Sequence, residues 1–179
     1  MALKATIFKA SLQVNDLDRH YYALHPLTLA QHPSETDERL MVRILAFALN
    51  ASEGLEFGKG LSSEEPALWQ KDATGLIERI IEIGLPDEAL LRRYCGRAAE
   101  VLVYAYGGRT VGLWWQKNAS ALARLNNLTV VELAQETTAA LAAMASRSMS
   151  LQALVSDGET QILSDSEVVS VTQTVLKQA

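Results

Sequence analysis

Cysteine is almost absent from this sequence and histidine nearly so, with one Cys and three His in 179 residues. A lone Cys95 excludes an intramolecular disulfide, and no Cys/His spacing resembles a zinc site, so the chain reads as a protein of the reducing cytoplasm with Cys95 as a small core residue. Long apolar runs are missing too. None approaches the ~20 residues that cross a bilayer, even around Val101 and Val111. The N-terminal stretch with Lys4 and Lys9 lacks the apolar block of a signal peptide. Positive charge is also scarce: 16 Lys and Arg stand against 21 Asp and Glu, a net charge of -5. That balance excludes broad electrostatic affinity for nucleic acid and leaves room only for a local basic groove.

What is present is apolar material for one sizeable core, 49% of the chain. A single domain over residues 1–179 is expected, and a monomer, since one compact core needs no partner. Near-alternate apolar residues from Leu3 to Val14, the polar turn Asn15-Asp16-Leu17-Asp18, and a second alternating run through Tyr22, Leu24, Leu27 and Leu29 predict an opening β-hairpin. Pro33 ends it. Ser34 with Asp37 has capping-box spacing, and Met41, Ile44, Leu45, Ala48 and Leu49 give a helical face, so a helix is predicted over 35–50 with Glu35 and Arg39 as an i,i+4 pair.

Leu55–Phe57, Pro66–Lys71 and Ile77–Ile83 read as three strands, the last two joined by the turn Asp72-Ala73-Thr74-Gly75. A helix to about Arg97 follows Pro86-Asp87, with arginines at its negative end. Glu100–Tyr106 is strand-like, 109–118 helical, Leu128–Leu133 a strand and Ala134–Ala145 an Ala-rich helix. A C-terminal β-meander is expected from Ser148–Val155, Thr160–Leu163 and Val168–Thr174, turning at Asp157-Gly158. The order helix, three strands, helix, strand between 35 and 106 matches the αβββαβ core of PD-(D/E)XK nucleases. The expected fold class is therefore α/β, a mixed sheet flanked by helices, with added hairpin and meander.

His32-Pro33-Ser34-Glu35-Thr36 with Glu38-Arg39, then Glu65-Pro66 and Leu68-Trp69, Ile81-Glu82-Ile83-Gly84 before Pro86-Asp87, and Trp114-Trp115-Gln116 occur in this order. Taken together these segments resemble the YaeQ family across essentially the whole chain. The resemblance implies a variation of the PD-(D/E)XK fold. In such enzymes two carboxylates on neighbouring strands hold a hard divalent metal that activates water at a phosphodiester.

Geometry then selects the acids. Asp72 falls in the predicted turn, roughly 16 Å along the strand from Glu82 at ~3.3 Å per residue. A turn centred between Ala73 and Thr74 instead sets Glu65 opposite Glu82, with Cβ atoms ~5 Å apart, and Glu64 there if the register slips by one. Glu65 and Glu82 are thus the expected metal ligands, magnesium the expected ion, and nucleic acid the expected partner. The aspartate implied by the resemblance is replaced, since Pro66 is followed by Ala67, and the lysine implied two residues after the second acid is Gly84. Lys71, Arg92, Arg93, Gln116 and Lys117 are candidate substitutes, Gln116 being favoured for its place in the Trp114-Trp115-Gln116 segment. Glu38 is a candidate third acid.

Each candidate has a plainer reading. Glu38 suits a solvated first helical turn, Trp114 and Trp115 suit packing, and Arg92, Arg93 and Arg97 suit a helix C-terminus as well as phosphates. His32 and Ser34 have no orienting acid and are not a hydrolase pair, and the Gly58-Lys59-Gly60 and Gly107-Gly108 segments lack phosphate-loop spacing. Two functions fit: a metal-dependent nuclease, or a binding or regulatory module that keeps the scaffold without turnover.

Overall fold

The computed structural model describes residues 4–60 and 64–179. Two long antiparallel strands, β1 (Thr6–Asp16) and β2 (Tyr21–Gln31), form the opening hairpin. Its predicted start at Leu3 lies outside the described residues. Phe8, Ala10, Leu12 and Val14 are buried while the residues between them face outward, the period-2 pattern of a sheet covered on one face.

Helix α1 (Asp37–Asn50) begins later than predicted, and its cap is Thr36 rather than Ser34. The Thr36 hydroxyl accepts from the Arg39 N–H at 3.1 Å, satisfying one of the amides that a helix start leaves free. Every residue from Leu40 to Ala48 is buried. A helix covered on all sides must lie inside the molecule, and the cluster around α1 draws side chains from both sheets of the fold.

The remaining elements are β3 (Leu55–Phe57), β4 (Leu68–Lys71), β5 (Ile77–Ile83), α2 (Glu88–Cys95), β6 (Ala98–Ala105), α3 (Arg109–Leu122), β7 (Leu128–Leu133), α4 (Gln135–Ala143), β8 (Ser148–Ser156), β9 (Glu159–Leu163), β10 (Val168–Val171) and β11 (Gln173–Lys177). They form two mixed sheets flanked by helices, one of five strands in the order β10-β9-β8-β1-β2 and one of six in the order β11-β7-β6-β5-β4-β3.

The C-terminal meander is corrected in two respects. Its first strand, β8, pairs in parallel with β1, so hairpin and meander merge into one sheet. The last predicted strand is two strands: β10 stays with β9, while β11 crosses to pair with β7 in the other sheet. Thr172 makes the crossing, its N–H donating to Thr137 Oγ1 and its carbonyl accepting from Ala134 N, both at 3.0 Å. Backbone groups that leave one ladder are thereby paired before they join the next.

In the six-stranded sheet β5, β6 and β7 run parallel. Ile81, Ile83, Leu102 and Tyr104 face α1, and Ile80, Val101, Val103 and Ala105 face the cluster of α2 and α3. Glu82 alternates with Ile81 and Ile83, so it shares the α2 side with Ile80. It stands at the carboxyl end of a parallel strand, where open α/β sheets leave their ligand crevices.

Candidate functional site

The β4–β5 hairpin sets the site, and its register differs from the predicted one. Leu68 faces Ile81 and Gln70 faces Arg79, while Lys71 faces Ile77 across a β-bulge. The turn is centred on Thr74, with Asp72 N donating to Leu76 O at 2.9 Å, and the bulge absorbs one more residue of β5. Lys71 is thus displaced one place and Leu68, Trp69 and Gln70 two, and in the latter register Ala67, not Glu65, lies level with Glu82. There the shift is even. Faces are kept, and Glu65, in a bend before β4, which starts at Leu68 rather than at Pro66, still reaches the same cleft as Glu82. Asp72 is committed to the turn, its Oδ1 accepting from Thr74 N (2.8 Å), Thr74 Oγ1 (2.6 Å) and Leu76 N (3.0 Å), and these bonds lower its pKa.

Glu82 is 9% exposed. Its carboxylate accepts from the Ile83 N–H at 3.1 Å and from the Ala67 N–H, and the Tyr94 hydroxyl lies at the outer limit of hydrogen bonding, 3.5 Å. All three donors are neutral. Burial pushes the Glu82 pKa up, against the opposing pull of the Ile83 N–H and the Arg39 charge. Tyr94, itself buried and facing this carboxylate, is pushed up to about 12, so it remains a donor at neutral pH.

Glu65 is held from the other side of the cleft. Its Oε2 accepts from the Lys59 N–H at 2.9 Å and its Oε1 is 3.9 Å from Lys59 Nζ. The approach of segment 58–60 depends on Gly58, whose N–H donates to Ala67 O at 2.9 Å. A Cβ there would lie 1.9 Å from the Pro66 carbonyl oxygen.

The cleft is also lined by Arg39, Arg43 and Arg93. Arg39 and Arg43 both grip Glu35, whose side chain is 1% exposed; Arg43 Nη2 reaches Glu35 Oε1 at 2.6 Å and Ala30 O at 3.2 Å. Glu35–Arg39 is thus present as predicted, but as part of a buried triad. Gly84, where the resemblance implies a lysine, has φ of +90° with open space around it, so its backbone conformation disfavours any side chain.

Of the remaining candidates, Arg93 lines the cleft, whereas Glu38, Lys71, Arg92, Gln116 and Lys117 are not among its lining residues. Gln116 is exposed on α3 and Arg92 pairs with Glu88 at 3.2 Å. Glu38 lies near Tyr106, whose pKa is pushed up to about 12 chiefly by burial, with Arg39 lowering it and Glu38 raising it. Trp114 donates through Nε1 to Pro86 O at 2.9 Å and packs with Trp115 against α2, the packing role. Cys95 is half-buried, and burial raises its thiol pKa.

Sequence reasoning missed Arg39, Arg43 and Tyr94. The available signal was the spacing Glu35, Arg39, Arg43, one carboxylate with an arginine on each of the next two turns. Among the described residues no cluster of three or more His, Cys, Asp or Glu is gathered for a metal. Glu64, Glu65 and Glu82 line the cleft without converging as a group of three, and carboxylates are the donors that suit magnesium, which keeps most of its waters.

Comparison with known proteins agrees over nearly the full chain. The family described as YaeQ protein matches residues 1–173. The chain is 43% identical over 179 residues to Uncharacterized protein YaeQ of Escherichia coli (strain K12), covering 99% of each, and 46% identical over 159 residues to that of Salmonella typhi, covering 88% of each. The crystal structure of YaeQ protein from Xanthomonas axonopodis pv. citri superposes with a TM-score of 0.94 at 50% identity, covering 98% of this chain and 99% of that one. YaeQ protein from Pseudomonas syringae gives 0.93 at 34% identity, with 98% and 97% covered. No described helix is long and apolar enough to cross a membrane. From hairpin to crossing strand, the chain belongs to the YaeQ family.

Proposed function

We propose that the cleft is the site of a magnesium-dependent phosphodiesterase acting on nucleic acid, on a restriction-endonuclease-like core, with Glu65 and Glu82 as the metal ligands. The observation that carries the proposal is Glu82 itself. A carboxylate this buried with only neutral hydrogen-bond donors is costly when ionised, and a divalent cation shared with Glu65 supplies the missing compensation. The bound metal would lower the pKa of its water and draw charge from the phosphate.

The chain's own groups do the rest. Tyr94 and the Ala67 and Ile83 amides fix the Glu82 carboxylate. Arg39 lines the cleft, is oriented by Glu35, and stands in for the lysine that Gly84 cannot carry. Arg93 offers a second cation to the phosphate. Glu38 and Gln116 lie outside the cleft lining and are given no direct ligand to the metal.

Calorimetric titration with magnesium and manganese tests this. The native chain is expected to bind, Glu82→Gln to bind at least about tenfold more weakly, and Glu38→Gln and Gln116→Ala to stay within about twofold of native. Absence of binding at millimolar metal would remove the enzyme reading. Because the Glu82 pKa is raised, protons compete with metal above the ordinary glutamate range, and affinity should climb with pH there.

The same shift acts on stability. A carboxyl raised in the folded state makes the wild type lose stability as pH rises from the unfolded value, about 4.3, toward the folded one. In metal-free buffer Glu82→Gln should therefore be the more stable protein at neutral pH, by on the order of 1 kcal/mol or ~2–4 °C, with the gap closing below about pH 4. Thermal melts across that range read it directly.

The second reading, a binding module without turnover, draws on Gly84 and its positive φ. Magnesium binding without cleavage of single-stranded, duplex or branched DNA or RNA would select it.

A further inference from the structure

The cleft does not end at Glu65. A second cavity of about 300 Å³, lined by Glu64, Glu65, Trp69, Arg93 and Arg97, shares Glu64, Glu65 and Arg93 with the first. Arg93 and Arg97 are exposed, sit one helical turn apart where α2 ends, and form no ion pair among the described residues. Arg109, Arg124 and Arg147 likewise form none, so half of the ten arginines are without an ion pair among the described residues. Arg19, Arg39, Arg43, Arg79 and Arg92 each reach a carboxylate, in a chain with an excess of acids.

Beside the two unpaired guanidinium groups stands Trp69, half-buried on β4, with Lys71 Nζ 3.8 Å from its ring centroid. The lysine covers an aromatic face as a cation does when nothing else occupies it. A planar ring and two arginines line one small cavity beside Glu64 and Glu65, with a lysine over the ring, and match a nucleotide: phosphate to the arginines, base to the ring.

Resting on the phosphodiesterase reading, we propose that this cavity is a subsite for the nucleotide next to the cleaved bond, and that the substrate is a single-stranded or frayed polynucleotide. A base in an intact duplex has no free face to lay on Trp69, whereas an unstacked one does. The base would displace Lys71 from the ring and leave that ammonium for the strand's next phosphate.

Anisotropy of 5′-fluorescein-labelled oligothymidylate octamers with the full chain in EDTA, where metal-dependent cleavage is prevented, tests the subsite. An abasic octamer and a duplex of the same length are the comparisons. The octamer should bind at least about fivefold more tightly than its abasic counterpart, and more tightly than the duplex. Arg93→Ala/Arg97→Ala should weaken it at least about tenfold and reduce the slope of log affinity against log salt by about 1.4. Trp69→Ala should bring the octamer down to the abasic level, while Trp69→Phe, which keeps a ring and the packing, should hold most of the preference.

Equal affinity for abasic and thymidine octamers, or native binding by the double arginine variant, would overturn the proposal. The two readings fail separately. Magnesium bound through Glu82 with no octamer binding ends the subsite alone, and octamer binding by a chain that takes up no magnesium in the calorimetric titration ends the metal site alone.

Discussion

Glu35→Ala is expected to lower the unfolding free energy by about 3–5 kcal/mol, because it leaves Arg43 buried without its counter-charge. Arg43 is 3% exposed and its side chain finds only Glu35 Oε1 and the Ala30 carbonyl, while its Nε has no partner at all. Removing the carboxylate therefore strands a buried guanidinium without its counter-charge. A pair read as an ordinary surface i,i+4 contact would cost only about 0.3–0.5 kcal/mol, so urea unfolding separates the two descriptions by a wide margin.

A second variant sharpens the test. Glu35→Leu with Arg43→Met removes both charges and keeps the volume, and buried ion pairs replaced this way are often neutral or better. The unsatisfied Nε of Arg43 shows that the native arrangement is incompletely compensated, so the double variant should recover most of the loss. A Glu35→Ala protein within 1 kcal/mol of native would mean that the triad contributes little. The recovered double variant has its own use. Stable but with Arg39 unclamped, it should lose affinity for phosphate-bearing ligands in the cleft, tying the triad to function rather than to folding.

Why a protein would keep so expensive a triad follows from its position. Glu35 precedes the N-cap Thr36, and α1 is covered on every side from Leu40 to Ala48, so the arginines have one way out, toward the cleft. Three elements meet there: the start of α1, the carboxyl end of β5 and the inner turns of α2. Glu82, Arg39 and Tyr94 are each delivered by a rigid element, and only Glu65 comes from a bend.

Most of this was legible in the residues, because strands and helices write their periods plainly. Ile77–Ile83, Leu55–Phe57 and Leu128–Leu133 were predicted with their observed bounds. Asp72 was placed in a turn, and that turn now accounts for all its hydrogen bonds. The register was not legible. It depended on a bulge at the Gln70/Lys71 step, which leaves no alternation signal in four residues of strand. Nor was the division at Thr172 legible, since a strand that changes sheets keeps the same extended, β-branched composition on both sides. Arg39 and Arg43 were hidden for a different reason. Polar spacing on a helix reads as a solvated face, and only tertiary packing shows this face turned inward.

Gly58→Ala is expected to damage stability and site together. The Cβ it adds would sit 1.9 Å from the Pro66 carbonyl oxygen and 3.1 Å from its carbon, and both are backbone atoms that cannot rotate aside. Either β3 parts from β4 at its end, losing the Gly58 N–H to Ala67 O bond, or segment 65–67 is pushed away. Overpacking of this kind costs about 1–3 kcal/mol in a close-packed region. Displacing 65–67 also withdraws the Ala67 N–H from Glu82 and carries Glu65 out of the cleft, so magnesium affinity should fall at least about tenfold. Gly60→Ala is the control. Its φ of +101° adds strain, about 1–2 kcal/mol, but the space around it is open, and the Pro66 carbonyl is untouched. Comparable stability losses with metal binding lost only in Gly58→Ala would show that backbone contact at Pro66, and not the rigidity of the loop in general, places Glu65. Native metal affinity in Gly58→Ala would instead detach Glu65 from the site and leave Glu82 as its single fixed ligand.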